Sequence, residues 1–342
     1  MRATVRKAAE RSFAGFGPRS LRELMKRLST AYGPVAAGIV VLVAVAVIFL
    51  PSYYTGLITL VGIYALVTLG LNVFMGYAGQ VSLGQAAFVG IGAYTSAVLS
   101  VKANLTPWLG AIAGAIGAAL VAYALSFVVL RLRENLLALA TLALGIVINV
   151  VFNEWDFVGG SSGFKGIPGL TIGSYTFDER GYAILAWILV AIGIWFAGNV
   201  VRSTYGRALI AISAGELGAQ ALGVNGEALR RQAFVLSAFY AGLAGALYAT
   251  SFTYIDPSSF SFLLSVNFVL MSVIGGLRSL WGAVIGAAIV VALGQILQAV
   301  VPLVLPSARG DFQSFFLGAA LVAILILLPR GLTSRFGEAG RA

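Results

Sequence analysis

The chain has no cysteine and no histidine. The first absence excludes a disulfide framework and a thiolate metal site. The second removes the usual zinc ligand and the usual proton shuttle near neutral pH. Charge is scarce as well: Asp, Glu, Lys and Arg make up 10% of the residues, against roughly 25% in an average soluble domain. From Leu28 to Val101 there is no charged residue at all. A water-exposed surface would have nothing for solvent to hydrate over such a run. A bilayer reverses that rule, because a charge at mid-membrane costs about 2.5–3.5 kcal/mol or more and hydrocarbon accepts Leu, Val and Ile. The sequence predicts a membrane protein.

What is present is mostly apolar: 60% of the 342 residues, with a mean hydropathy of +0.97. Ten apolar blocks can be drawn, at 34–51, 57–75, 86–101, 108–130, 136–153, 182–201, 232–252, 262–276, 283–301 and 315–329. Spans of about 20 residues each would use up the length, so no soluble catalytic domain is expected. The predicted fold is all-α, a polytopic membrane bundle of about ten transmembrane helices. Residues 1–32 form a basic N-terminal arm, 33–330 the transmembrane domain and 331–342 a tail. The 42 glycines concentrate in stretches such as Ala111–Ala119 and Ala241–Ala249, where small residues let helices approach closely in lipid.

Basic residues set the orientation. With ten crossings and a cytoplasmic N-terminus, the arm, Arg131, Arg133, Arg202, Arg207, Arg230, Arg231, Arg278 and the tail fall inside. Only Lys102, Lys165, Arg180 and Arg309 fall outside. Acidic residues divide evenly, as expected when Lys and Arg alone carry the bias. Both termini are therefore expected in the cytoplasm. The arm is expected to lie on anionic lipid, which accounts for the net charge of +10 without nucleic acid. Gly79-Gln-Val-Ser-Leu83 and Gly276-Leu-Arg-Ser-Leu280 each precede two apolar blocks and then an arginine. They read either as a parallel duplication or as a chance likeness of two Gly/Ser turns.

Two segments could carry function. Leu69–Ser100 holds Asn72, Tyr77, Gln80, Ser82, Gln85 and Tyr94 among closely spaced glycines, without charge. Buried amides and hydroxyls in lipid must find partners. Gly76, Gly79 and Gly84 suit a broken helix lining a cavity, or else a tight hydrogen-bonded turn. The loop 202–231 is amphipathic and predicted helical, either an interfacial anchor or a docking element. Its Gly206, Gly218 and Gly223 are poor choices for a helix that only has to be stable.

Chemistry is narrowed by what the blocks exclude. No carboxylate or basic side chain lies within them, which disfavours coupling to H⁺ or Na⁺. No G-x-x-x-x-G-K-[ST] phosphate loop is present, so any ATP hydrolysis must come from another chain. A channel or facilitator is the alternative. An enzyme would have to use Glu154/Asp156 or Asp178/Glu179, which read more simply as loop-solvating pairs.

These segments, with Leu130–Ile146, Val158–Leu170, Ala241–Leu247 and the Gly275–Gly286 turn, resemble branched-chain amino-acid ABC transporter permeases over roughly residues 55–335. The M-type, LivM-like branch is the nearer likeness, and G-Y-A-G-Q-x-S-L-G at 76–84 is the most specific part of it. The resemblance implies a permease without an ATPase site, in a bacterial inner membrane. It implies a sister permease as heterodimer partner, two cytoplasmic ATP-binding subunits and a periplasmic binding protein. No cofactor is implied on this chain, since the partners would use the ATP. Asn72, Gly76, Tyr77, Gly79, Gln80, Ser82, Gly84, Gln85 and Tyr94 would belong to the substrate pathway. Gly206, Arg207, Glu216, Ala219 and Gly223 would belong to the loop that seats in the ATPase. Two departures stand out: Gln85 replaces a usual His, and Ser213-Ala214-Gly215 replaces a charged and polar triplet. The implied substrate is Leu, Ile or Val, with urea or short amides as the alternative.

Overall fold

The structure is a computed structural model that describes residues 38–304 except Arg133 and Ser174, together with Ala36 and Gly318. The N-terminal arm, the block at 315–329 apart from Gly318, and the tail at 331–342 lie outside the described residues. Its main elements are helices. Helix α1 spans Gly38–Phe49, and α2 spans Ser52–Asn72, running on into a π-helical turn at Val73–Tyr77. Next come α3 (Gln85–Val101), α4 (Pro107–Val129), α5 (Glu134–Glu154) and α6 (Glu179–Arg202). Two short helices follow, α7 (Thr204–Ala214) and α8 (Glu216–Ala221). The remainder are α9 (Gly226–Phe252), α10 (Phe262–Gly275) and α11 (Leu280–Val304).

Six of these helices are long and apolar enough to cross a membrane, and α1, α3 and α10 are shorter apolar helices. The loop 202–231 departs from the expected continuous helix. Extended backbone at Gly215 divides it into α7 and α8, and α9 begins at Gly226 instead of 232.

The bundle centres on α9, which packs most extensively on α3 and α4. Missing side chains make this contact. A Cβ at Gly245 would sit 1.9 Å from the Val89 carbonyl oxygen, and one at Gly92 would sit 2.1 Å from that of Gly242. Lipid gives apolar helices no hydrophobic drive to associate, so backbone approach and dispersion must hold them. Helix α2 packs against α6, α9, α10 and α11.

Two faces can be told apart. On the hairpin face lie α7 and α8, the break at 78–84, residues 130–132 and the turn at 276–279. The opposite face holds 102–106, 154–173, 175–178 and 253–261. There β1 (Phe164–Lys165) pairs antiparallel with β4 (Tyr254–Ile255), and β2 (Thr171–Ile172) with β3 (Tyr175–Thr176). Lys102 Nζ donates to the Phe157 carbonyl at 2.6 Å across the same surface. Arg131, Arg202, Arg207, Arg230, Arg231 and Arg278 thus lie toward the hairpin face, and Lys102, Lys165 and Arg180 toward the opposite one.

The contacts relate α2–α3–α4 to α9–α10–α11: α9 packs on α3 and α4, and α2 on α10 and α11. The α2–α3 connection lies on the hairpin face but the α9–α10 connection on the opposite one, so the relation is inverted. A parallel duplication would match the α2–α3 pair with α10–α11, yet α2 barely touches α3 whereas α10 packs closely on α11. The segments 79–83 and 276–280 share a face, as expected, but are not equivalent positions.

Candidate functional site

Helix α2 ends in the middle of the protein's polar machinery. Its last turn widens to a π-helix, a distortion common at functional sites, and Gly79 then takes φ +70°. Asn72 is fully buried. Its Nδ2 donates to the Ser279 carbonyl at 2.9 Å and, at 3.5 Å, to that of Gly276, while its Oδ1 accepts from the Ser272 hydroxyl. The Tyr77 hydroxyl donates to the Arg278 carbonyl at 2.7 Å. A Cβ on Gly76 would land 1.6 Å from the Leu277 carbonyl oxygen. Two interruptions of helix, at 78–84 and 276–279, therefore lean directly on one another.

The start of α3 is equally well served. Leu83 N donates to Thr141 Oγ1 at 3.0 Å, Gly84 N to Ser82 Oγ at 3.5 Å, and Ala86 N to Ser265 Oγ at 2.9 Å. The Gln85 amide donates to the Ser237 hydroxyl. Side chains from α5 and α10 thus accept from backbone donors around the start of α3 that would otherwise be left orphaned, and Ser237 of α9 holds the Gln85 side chain. The start of α3 is hydrogen-bonded into its neighbours, while Gln80, within the break, borders open space. Open volume lies below it, in a groove of about 1270 Å³ on the hairpin face lined by Gln80, Arg131, Glu216, Gln220, Asn225 and Arg230.

Tyr94 stands apart from the other eight pathway residues. It lies nine positions beyond Gln85 on α3, toward the opposite face, with its ring 4.4 Å from Phe152 and 5.9 Å from Phe260. Its buried hydroxyl has no hydrogen-bond partner among the described residues, and neither do those of Ser96 and Ser100. Phe260 reaches it from a 3₁₀ turn at Pro257–Phe260, capped by Asp256 and tied to α5 by Asn149 Nδ2, 2.6 Å from the Pro257 carbonyl. Partial burial pushes the Asp256 carboxyl up, but hydrogen bonds from Ser258 and Ser259 outweigh this and hold it below the usual carboxylate value.

The second residue set falls on the α7–α8 hairpin. Gly206 sits where a Cβ would meet the Val201 carbonyl at 1.9 Å. Arg207 is exposed and donates to the Arg202 carbonyl at 3.1 Å and to Thr204 Oγ1 at 3.0 Å. Glu216 pairs with Arg230 at 2.8 Å, fastening α8 to α9. Ala219 is buried, and Gly223 closes the helix with φ +80°. Tyr205 anchors α7 through the Leu229 carbonyl at 2.9 Å, and burial pushes its hydroxyl pKa up.

Sequence reading missed several participants. Ser237, Ser265, Ser272 and Thr141 each pair with the breaks, and their only signal was a hydroxyl inside an apolar block. Leu217 and Leu222 were also passed over. They stand 84% and 85% exposed on the hairpin.

Residues 53–325 match the family described as branched-chain amino acid transport system / permease component. The chain belongs to that family. It is similar to the high-affinity branched-chain amino acid transport system permease protein LivM of Escherichia coli (strain K12). That match is 29% identical over 299 residues, 80% of this chain and 68% of the relative. LivH of the same strain is 27% identical over 304 residues, 84% of this chain and 96% of the relative. Among solved structures, PsaBC from Streptococcus pneumoniae in complex with Fab aligns loosely. Its TM-score is 0.39 at 16% identity, over 81% of this chain and 92% of that one. The branched-chain permease family is one of multi-pass membrane proteins, in keeping with the apolar helices. Its matched region takes in both helix breaks and the whole hairpin.

Proposed function

We propose that this chain is one permease subunit of an ABC importer of branched-chain amino acids in a bacterial inner membrane. Both termini are cytoplasmic, which makes the hairpin face the cytoplasmic one. A sister permease completes the conduit, and a periplasmic binding protein delivers substrate to the opposite face. Two separate ATP-binding subunits supply the energy, and this chain itself binds no nucleotide.

The observation that carries the reading is the hairpin. Leu217 on a six-residue helix and Leu222 just after it are almost fully exposed, and the helix is held in place by the Glu216–Arg230 pair. Burying a leucine against a partner is worth about 1.5–3 kcal/mol, so these two are knobs for another protein. The positive-inside bias puts them in the cytoplasm, where the ATP-binding subunits reside. The substrate class follows from the names of the LivM and LivH relatives. The Tyr94 hydroxyl, without a hydrogen-bond partner among the described residues, supports a route past this part of α3, since a passing ammonium or carboxylate could bond to it.

The test is reconstitution with the sister permease, the two ATP-binding subunits and the binding protein in vesicles. Labelled leucine should accumulate only with ATP. Glu216→Gln and Gly223→Ala should lower uptake while leaving membrane assembly intact. Uphill accumulation by the lone chain under a proton or sodium gradient would overturn the reading. Preference for urea or acetamide over leucine would reassign the substrate.

A further inference from the structure

We propose that Arg278 is a positioning residue that passes movement of the α7–α8 hairpin to the break between α2 and α3. The inference rests on the importer reading and says where its mechanical link lies.

Arg278 joins its own turn to two segments that are remote in sequence. Its Nε donates to the Gly76 carbonyl at 3.2 Å, and its NH2 group lies 3.4 Å from Ser213 Oγ. Its own carbonyl accepts from the Tyr77 hydroxyl at 2.7 Å. The residue is thus tied to the end of α2 by both its side chain and its backbone, and to the last turn of α7 by its NH2 group. The Ser213 hydroxyl donates to the Ile210 carbonyl at 2.9 Å, which leaves its lone pairs for the guanidinium.

Chemistry explains why this link takes an arginine. The final carbonyls of a helix have no partner within it and carry partial negative charge, so a cation there is favoured. A guanidinium holds several donors in one rigid plane and can bridge two acceptors at once, whereas an ammonium is a single mobile point charge.

The surrounding contacts are stiff. A Cβ at Gly79 would lie 3.1 Å from Ser213 Cβ, and one at Gly76 only 1.6 Å from the Leu277 carbonyl oxygen. Backbone meets backbone at 76 and 277, with no flexible side chain between them to absorb a displacement. A shift of the 276–279 turn therefore moves the end of α2, and a shift of α7 reaches both through Ser213, which bonds to Arg278 and lies close against Gly79. Asn72 extends the linkage inward through Ser272 and Ser279.

The experiment measures leucine imported per ATP hydrolysed in vesicles holding the full complex, for wild type, Arg278→Gln, Arg278→Lys, Ser213→Ala and the Arg278→Gln/Ser213→Ala pair. Arg278→Gln should keep ATP hydrolysis but lower import per ATP by about fivefold or more, the range of coupling between distinct sites. Ser213→Ala should move the ratio in the same direction. Arg278→Lys should fall between wild type and Arg278→Gln, and the pair should be no worse than Arg278→Gln alone. Should Arg278→Gln fail to assemble, Ser213→Ala decides by the same ratio. An unchanged ratio, or losses of import and hydrolysis in equal proportion, would overturn the relay. A wild-type complex that imports nothing would refute the importer reading, and the relay with it.

Discussion

Two glycines with the same chemistry face opposite demands. At position 76 a methyl group would overlap the Leu277 carbonyl oxygen, a backbone atom that cannot rotate away. Gly76→Ala is expected to abolish recovery of folded chain, read as loss of the monodisperse peak in detergent size-exclusion chromatography. At position 218, within α8, a Cβ would meet nothing within 4 Å. Removing a helix-interior glycine there should stabilise α8 by roughly 0.5–1 kcal/mol. Gly218→Ala is therefore expected to give a peak and a melting temperature at or above wild type. Spacing marked both glycines as unusual, but it could not tell them apart, because what matters is an atom 201 residues away at position 277.

At the level of elements, α8 and the Pro257–Phe260 turn make distinct predictions. Leu217→Ser with Leu222→Ser should leave the chain folded, since neither side chain is buried in it. It should strip the ATP-binding subunits during purification, at a loss of about 3–6 kcal/mol for two leucines. The Pro257–Phe260 turn depends on Asp256, whose carboxylate accepts from Ser259 N at 3.0 Å. Its folded pKa lies below the ordinary 3.8, so its contribution is complete above that value. The contribution is lost as pH falls through the folded pKa. Wild-type melting should show no effect of this residue from neutral pH down to the ordinary Asp value. Asp256→Ala should cost about 0.5–2 kcal/mol across that range, and the difference should close in stronger acid.

The helices themselves were legible in composition, as was the break at 76–84, because charge and glycine act locally. The division of loop 202–231 was not, since Gly215 breaks the helix through a backbone conformation open to any residue. The pairing of the two breaks was hidden for another reason. Asn72 and Ser279 meet only through the tertiary packing of α2 against α10 and α11.

For the whole molecule, the described charges gather at two faces with an uncharged interior between them. A charge crossing the full bilayer gains or loses about 2.3 kcal/mol per 100 mV. Among the described residues, ionised side chains within the long apolar helices sit only near their ends, where little of that field falls. Leucine is zwitterionic and net neutral, so its passage carries no current either. Uptake by the reconstituted complex should accordingly be blind to voltage: potassium diffusion potentials of either sign, clamped with valinomycin, should leave the initial rate unchanged. A cell whose membrane has been depolarised would keep this route open for as long as nucleotide lasts.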